Sequence, residues 1–276
     1  MKYEDFIERM LQEVKKRVES DVSITLHTAT KNNGAIRKGF VFEKHKNHTA
    51  PIIYLDEFYE SYQHGREVEE LAGIMCMLYK KAIYEIKPDF ERVIDYEEMK
   101  DRIVYQLINA EKNKDLLAEI PYKKFHDLAI VFYLLLEKSG DETATMLIKD
   151  ELLQRWGVSE QEVYENAVHN TPVLFPMEIN PLTDSMYVLT NDIIHTGASV
   201  ILYDDTLKRA ADVIKTNFYL IPSSIHEWIL VPDDGVMTRS HLEGMVDEVN
   251  ADMIPDTEIL GDCVYYYSIK EGRLIV

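Results

Sequence analysis

Four residues within five positions carry the side chains of a hydrolase triad: Ser223, Ser224, His226 and Glu227. A serine hydroxyl attacks a carbonyl when an imidazole takes its proton and a carboxylate orients the imidazole. The stretch reads Tyr219-Leu220-Ile221-Pro222-Ser223-Ser224-Ile225-His226-Glu227-Trp228-Ile229-Leu230-Val231-Pro232, with a Pro-Ser-Ser kink interrupting a strand. From Ile225 onward, alternation puts Ile225, Glu227, Ile229 and Val231 on one face and His226, Trp228 and Leu230 on the other. Adjacent residues of one strand point apart, so Glu227 does not orient His226 directly. A buried carboxylate needs a partner, so Glu227 pairs elsewhere or lies at an exposed strand end. The pattern favours a structural kink, with the serines bonding local backbone, over a catalytic one.

Other chemistries are weaker still. His45-Lys46-Asn47-His48 places two histidines three apart, but no carboxylate or third histidine is adjacent, which fits a solvated hairpin tip. His226-Glu227 begins a His-Glu-x-x-His zinc motif that fails at Leu230. Pro88-Asp89 with Glu98-Met99-Lys100 imitates a metal-nuclease pattern, yet Glu98 and Lys100 lie in a helix-like stretch. The chain has no phosphate-binding Gly-x-x-x-x-Gly-Lys-Ser/Thr, no Gly-x-Gly-x-x-Gly and no Gly-x-Ser-x-Gly. No metal and no cofactor are expected.

A binding surface is the other possibility. Tyr54, Asp56, Glu57, Tyr59 and Tyr62 form an aromatic, acidic stretch that suits an interaction face, or a core helix with tyrosine hydroxyls at its edge. The formal charge is −19, from 30 Lys+Arg against 49 Asp+Glu. Such a surface repels phosphate, and no basic cluster offsets it, so direct nucleic-acid binding is not expected. An acidic protein can instead imitate nucleic acid on a basic partner. Cys76 sits in an apolar run and Cys263 is far from it, which suits reduced thiols in a cytoplasm. The N-terminus has no uninterrupted apolar core, and no apolar run reaches membrane-spanning length.

The elements that would position these residues follow from periodicity. Phe6, Ile7, Met10, Leu11, Val14 and Val18 predict a helix over 3–18. A hairpin follows, from Val22 to Phe42 around Asn32-Asn33-Gly34, read as a plain turn. A strand at 52–55, a short helix at 56–63 and a helix over 66–84 come next, then a helix over 96–110. Asp127 to Leu136 reads as a strand buried on both faces, with 143–148 as its partner. Ser159-Glu160-Gln161-Glu162 opens a helix with a capping box. Asn170 to Pro181, with three prolines, reads as a linker. Beyond it, strands are expected at 186–190, 199–203, 218–221, 225–231 and 263–269, and helices at 205–215 and 241–250.

Several segments in this order resemble a bacterial family known as domain of unknown function 5688. They are Lys31-Asn32-Asn33-Gly34, Pro51 to Leu55 with Phe58-Tyr59 and Gly65, Gly197 to Tyr203, Ile221 to Glu227, Val249-Asn250, and Asp262 to Tyr267. The resemblance covers nearly the whole chain, and its most specific part is Pro-Ser-Ser-Ile-His-Glu. It implies a bacterial, cytoplasmic protein and no particular activity, so it brings no catalytic residues.

Together these readings give an α+β protein, with an N-terminal region over 1–170 and a C-terminal unit over 171–276. The expected role is non-enzymatic binding or regulation of a protein partner through an acidic surface, in one version by imitating nucleic acid. The alternatives are a hydrolase-like enzyme using His226 with Ser223 or Ser224, and a small-ligand sensor.

Overall fold

A computed structural model describes residues 1–44, 50–85, 90–140, 142–183 and 185–275. The His45 to His48 pair and Pro88-Asp89 lie outside the described residues. The chain forms two compact units, the first holding Met1–Lys31 and Ala35–Asp89 and the second holding Asn32–Gly34 and Phe90–Val276.

The first unit contains α1 (Tyr3–Lys15), β1 (Val22–Thr30), β2 (Ile36–Lys44), β3 (Ile52–Tyr54), α2 (Asp56–Gln63) and α3 (Val68–Glu85). The strands form an antiparallel sheet in the order β1-β2-β3. Phe6, Met10 and Val14 recur every four residues, so α1 presents one apolar stripe, buried with Phe40 and Phe42 of β2 and Leu71 and Met75 of α3.

The second unit begins with α4 (Phe90–Val93), α5 (Tyr96–Met99), β4 (Ile103–Asn109), α6 (Lys114–Leu117), β5 (Tyr122–Phe125), β6 (Leu128–Ser139) and β7 (Glu142–Leu147). It continues with α7 (Asp150–Trp156), α8 (Glu160–Leu174), β8 (Met177–Thr183), β9 (Met186–Asn191) and a 3-10 turn over Gly197–Leu202. It ends with α9 (Thr206–Ile214), β10 (Phe218–Ser224), β11 (Glu227–Pro232), α10 (Arg239–Asp252), β12 (Tyr265–Ser268) and β13 (Arg273–Ile275). One antiparallel sheet centres on β6, which pairs β4 along one edge and β5 then β7 along the other. The other sheet has the order β13-β12-β10-β11-β9-β8. The fold class is α+β, as the blocks of helix and strand imply.

The continuous apolar run of β6 is a strand covered on both faces, as expected. The capping box is present: Ser159 and Glu162 satisfy each other's backbone N–H at the start of α8. Three expectations need correction. The helix over 96–110 stops at Met99, and Ile103–Asn109 is β4, paired residue for residue with β6. Met99, Ile103 and Leu107 fit helical spacing, but β6 pairs one edge of this segment, while Thr171 Oγ1, Ser199 Oγ and Asn170 Nδ2 bond Tyr105 N–H, Leu107 N–H and Ile103 O on the other. The strand expected at 199–203 is the 3-10 turn; its Ala198 N–H donates to Ile225 O and its Ala198 carbonyl accepts the Trp228 indole, so these groups are used without a ladder. The linker expected over 170–181 is the last turn of α8, with Pro172 inside it, followed by β8. β8 is an edge strand, where Pro181 removes no ladder bond. Residue 170 thus lies inside a helix, and the division between the compact units lies at Asp89/Phe90.

Candidate functional site

The Pro-Ser-Ser-Ile-His-Glu segment is the end of the β10–β11 hairpin. The register shifts between Pro222 and Ser224, making Ser223 the extra residue of a bulge. Pro222 is tolerated because β12 pairs with β10 only over Phe218, Tyr219 and Leu220. Trp228 and Leu230 point into the core, as the alternation requires, while His226 sits in the connection.

Both nitrogens of the His226 ring face polar groups. Thr196 N–H donates to Nδ1 at 3.1 Å, and Nε2 lies 3.7 Å from Glu258 Oε2. A backbone donor at Nδ1 assigns the proton of the neutral ring to Nε2, facing the carboxylate. Thr196 comes from a strained turn: Ile194 has φ 50° and Thr196 φ 51°, left-handed values that β-branched residues rarely adopt. Asn191 holds that turn, accepting N–H from Ile193 and His195 at Oδ1 and donating to His195 O at 2.9 Å. The His195 ring lies 5.4 Å from that of His226. Burial, then the neighbouring His226, holds His195 below the ordinary imidazole range, with Glu258 acting the other way.

Glu258 reaches the site on a segment clasped by asparagines. Ile225 N–H donates to Glu258 O at 2.8 Å. Asn32 Nδ2 donates to Thr257 O, and Asn33 Nδ2 to Asp256 O and Ile259 O, each at 2.7 Å. Asn113 Nδ2 donates to the side-chain oxygens of Asn32 and Asn33, and its Oδ1 accepts Asn33 N–H. Asn33 and Gly34 adopt the left-handed backbone that Asn and Gly tolerate best, with φ 61° and 70°. The tripeptide read as a plain turn is the fastening of the 256–259 segment.

The serines have other partners. Ser224 Oγ accepts the His226 backbone N–H at 3.0 Å, and Ser223 Oγ donates to Glu227 at 3.3 Å. Among the described residues, neither hydroxyl is a hydrogen-bond partner of the imidazole. The ring has a carboxylate, but it is Glu258. Nothing in the local sequence pointed to Glu258, because its approach depends on the asparagine clasp.

Pro222 and Ser223 also line an apolar groove beside α10. Its cavity is about 160 Å³. Leu182, Met186, Ile221 and Ile229 contribute from the sheet. Leu242, Met245 and Val246 contribute from the helix, with Val249 and Asn250 at its end. Leu182 and Met245 remain 51% and 38% exposed, so the groove opens to solvent.

The aromatic, acidic stretch lies in the first unit. Tyr59 packs on Tyr3 and Phe6, Tyr62 packs on Phe6, Lys31 lies over the Tyr54 ring, and Arg37 approaches Asp56 at 3.8 Å. Glu57 is exposed.

For metal ligation, the carboxylates of Asp127 and Asp262 and the Cys263 thiol come within 4.8 Å of one another among the described residues. The set mixes two hard ligands with one soft one, and Asp127 already accepts the Tyr265 hydroxyl. Burial and the two carboxylates push the Cys263 thiol up to about 11. Against the ordinary value of 9.0, that lowers the thiolate fraction at pH 8 about 100-fold. A more basic thiolate is also more nucleophilic, which returns part of that loss, so Cys263 should alkylate with iodoacetamide about ten-fold more slowly than free cysteine, and Asp262→Asn should speed it. Peptide mapping by mass spectrometry reads the rate, and a Cys263 rate equal to that of free cysteine would refute the assignment.

The model of a family of unknown function, DUF5688, matches residues 3–186 and 181–269. The chain belongs to this family. The match covers both compact units and includes the hairpin, the strained turn and the clasp of this DUF5688 chain. No curated protein and no solved structure matches it. Among the described residues, no helix of the DUF5688 chain is long and apolar enough to cross a membrane.

Proposed function

We propose that this DUF5688 protein is a non-enzymatic binding protein with a regulatory role in the bacterial cytoplasm. Its partner is a basic polypeptide segment that inserts an apolar side chain into the groove beside α10. The groove carries this reading. A cavity of about 160 Å³ is close to the size that accepts a benzene ring, so it suits one aromatic or branched aliphatic side chain. Met186 and Met245 give its walls the adaptable lining of surfaces that receive varied apolar groups. On α10, Glu248 and Asp252 follow Met245 at helical spacing and are exposed, so the rim is acidic. An acidic rim around an apolar groove favours a cationic amphipathic helix. The version in which the acidic surface imitates nucleic acid shares the charge requirement but not the groove.

The test uses the full chain and a synthetic amphipathic helix of Leu and Lys with one central Phe. Saturable binding that weakens with salt is expected, and Leu182→Asp and Met245→Asp should each weaken it about ten-fold or more. Both positions are open to solvent, so the variants should fold. No binding at low salt overturns the reading. Salt-dependent binding that ignores both variants removes the groove and leaves the imitation of nucleic acid.

A further inference from the structure

A second cavity, of about 490 Å³, lies in the second unit between α8, the start of β8, the 3-10 turn and α9. That volume is within the range of small-molecule sites. Its walls carry charge of both signs. Arg209 comes from α9, Asp204 precedes that helix, and Glu165 comes from α8. Among the described residues, the Arg209 guanidinium has no ion-pair or side-chain hydrogen-bond partner, and neither has the Asp204 carboxylate. The groups share one cavity without neutralising one another.

The remaining wall is apolar, formed mainly by Pro172, Pro176, Met177 and Leu202. Pro172 has a second consequence. It lacks an N–H, so the helical bond that Val168 O would accept from position 172 is not made. Val168 lines the same cavity. Pro172 stands in the wall of the cavity, in the last turn of α8 beside the Val168 carbonyl.

We propose that this cavity binds a free aliphatic α-amino acid. Arg209 takes the carboxylate, since its fork matches two carboxylate oxygens. Asp204, Glu165 and the Val168 carbonyl take the ammonium group. The aliphatic side chain lies against Pro172, Pro176 and Leu202. An anion without an ammonium group meets two carboxylates, and a cation without a carboxylate leaves the Arg209 guanidinium unmatched, so the zwitterion alone satisfies every charged group. The site is independent of the α10 groove.

The experiment is calorimetric titration of the full chain with L-leucine, L-valine and L-methionine, alongside N-acetyl-L-leucine and L-leucinamide. At least one free amino acid should bind with one-to-one stoichiometry at millimolar or lower concentration. Each blocked form should bind about ten-fold more weakly or not at all. Arg209→Gln should abolish binding and Arg209→Lys weaken it; Arg209 is exposed, so both variants should fold. Leu182→Asp, in the groove, should leave binding unchanged. No binding by any of the three amino acids up to about 10 mM overturns the proposal. So does equal binding of the blocked forms, or an Arg209→Gln variant that binds like the parent.

Discussion

Gly197→Ala is expected to destabilise the second unit by about 3 kcal/mol or more, at the upper end of the cost of overpacking. A Cβ at this position would collide with Thr190 Oγ1, lie 2.5 Å from His226 O and lie 2.8 Å from Asn191 N. Two of those atoms are backbone, and the third cannot swing away freely, because Thr190 Oγ1 donates to His226 O at 2.8 Å. Relieving the clash therefore breaks that bond, adding about 1 kcal/mol, and displaces the hairpin end that carries His226. Asn191 N adjoins the turn that presents Thr196 to the imidazole, so both supports of the ring move together. For a unit of this size the midpoint should fall by roughly 6–12 °C, read by calorimetry. A midpoint within about 2 °C of the parent would mean the turn relaxes freely and is not held as described.

Trp228→Ala should cost about 3–5 kcal/mol from the lost side chain and its cavity. Trp228 is fully buried, and its ring meets Tyr265 edge-on at 5.2 Å. Its indole N–H donates to Ala198 O at 2.7 Å, in the turn that has no strand partner. Truncation also removes that buried hydrogen bond, which costs about 1 kcal/mol more. The sum approaches the whole stability of an ordinary domain, so the variant should be largely unfolded at room temperature. Trp228→Phe separates the two contributions: it restores most of the apolar contact but not the donor. It should therefore fold with reduced stability, measurable by urea denaturation. Equal losses in the Phe and Ala variants would place nearly all of the effect in the hydrogen bond.

The same residues explain why some of the architecture was legible and some was not. Helices with one buried stripe, such as α1, declare themselves because Phe6, Met10 and Val14 repeat at the helical period. The β10–β11 hairpin declares itself because Trp228 and Leu230 alternate with half-buried neighbours. Segments buried on every side carry no period. Ile103 to Asn109 and Gly197 to Leu202 are both almost wholly apolar, and their conformation is decided by what satisfies their backbone: β6 in one case, Ile225 and Trp228 in the other. Prolines misled for a related reason. Their clustering over 170–181 suggests a linker, yet Pro172 fits a last helical turn and Pro181 an edge strand. At the candidate site, His226 was visible from its own segment. Glu258 and Thr196, which face the imidazole, and Asn191, which holds the turn carrying Thr196, were not, because their roles depend on the folded chain and have no local pattern.

The clasp has a consequence for biosynthesis. Asn33 and Asp256 are 223 positions apart in the chain. At about 5–20 residues per second, a ribosome makes the acceptors of the Asn33 amide some 11–45 s after Asn33 itself. The β1–β2 hairpin needs only local pairing and closes in microseconds. During that interval Asn32 and Asn33 have no 256–259 segment to hold, and His226, once made, has no Glu258. The carboxylate thus reaches the imidazole only after residue 258 has been made, and a nascent chain halted before residue 256 carries an incomplete site.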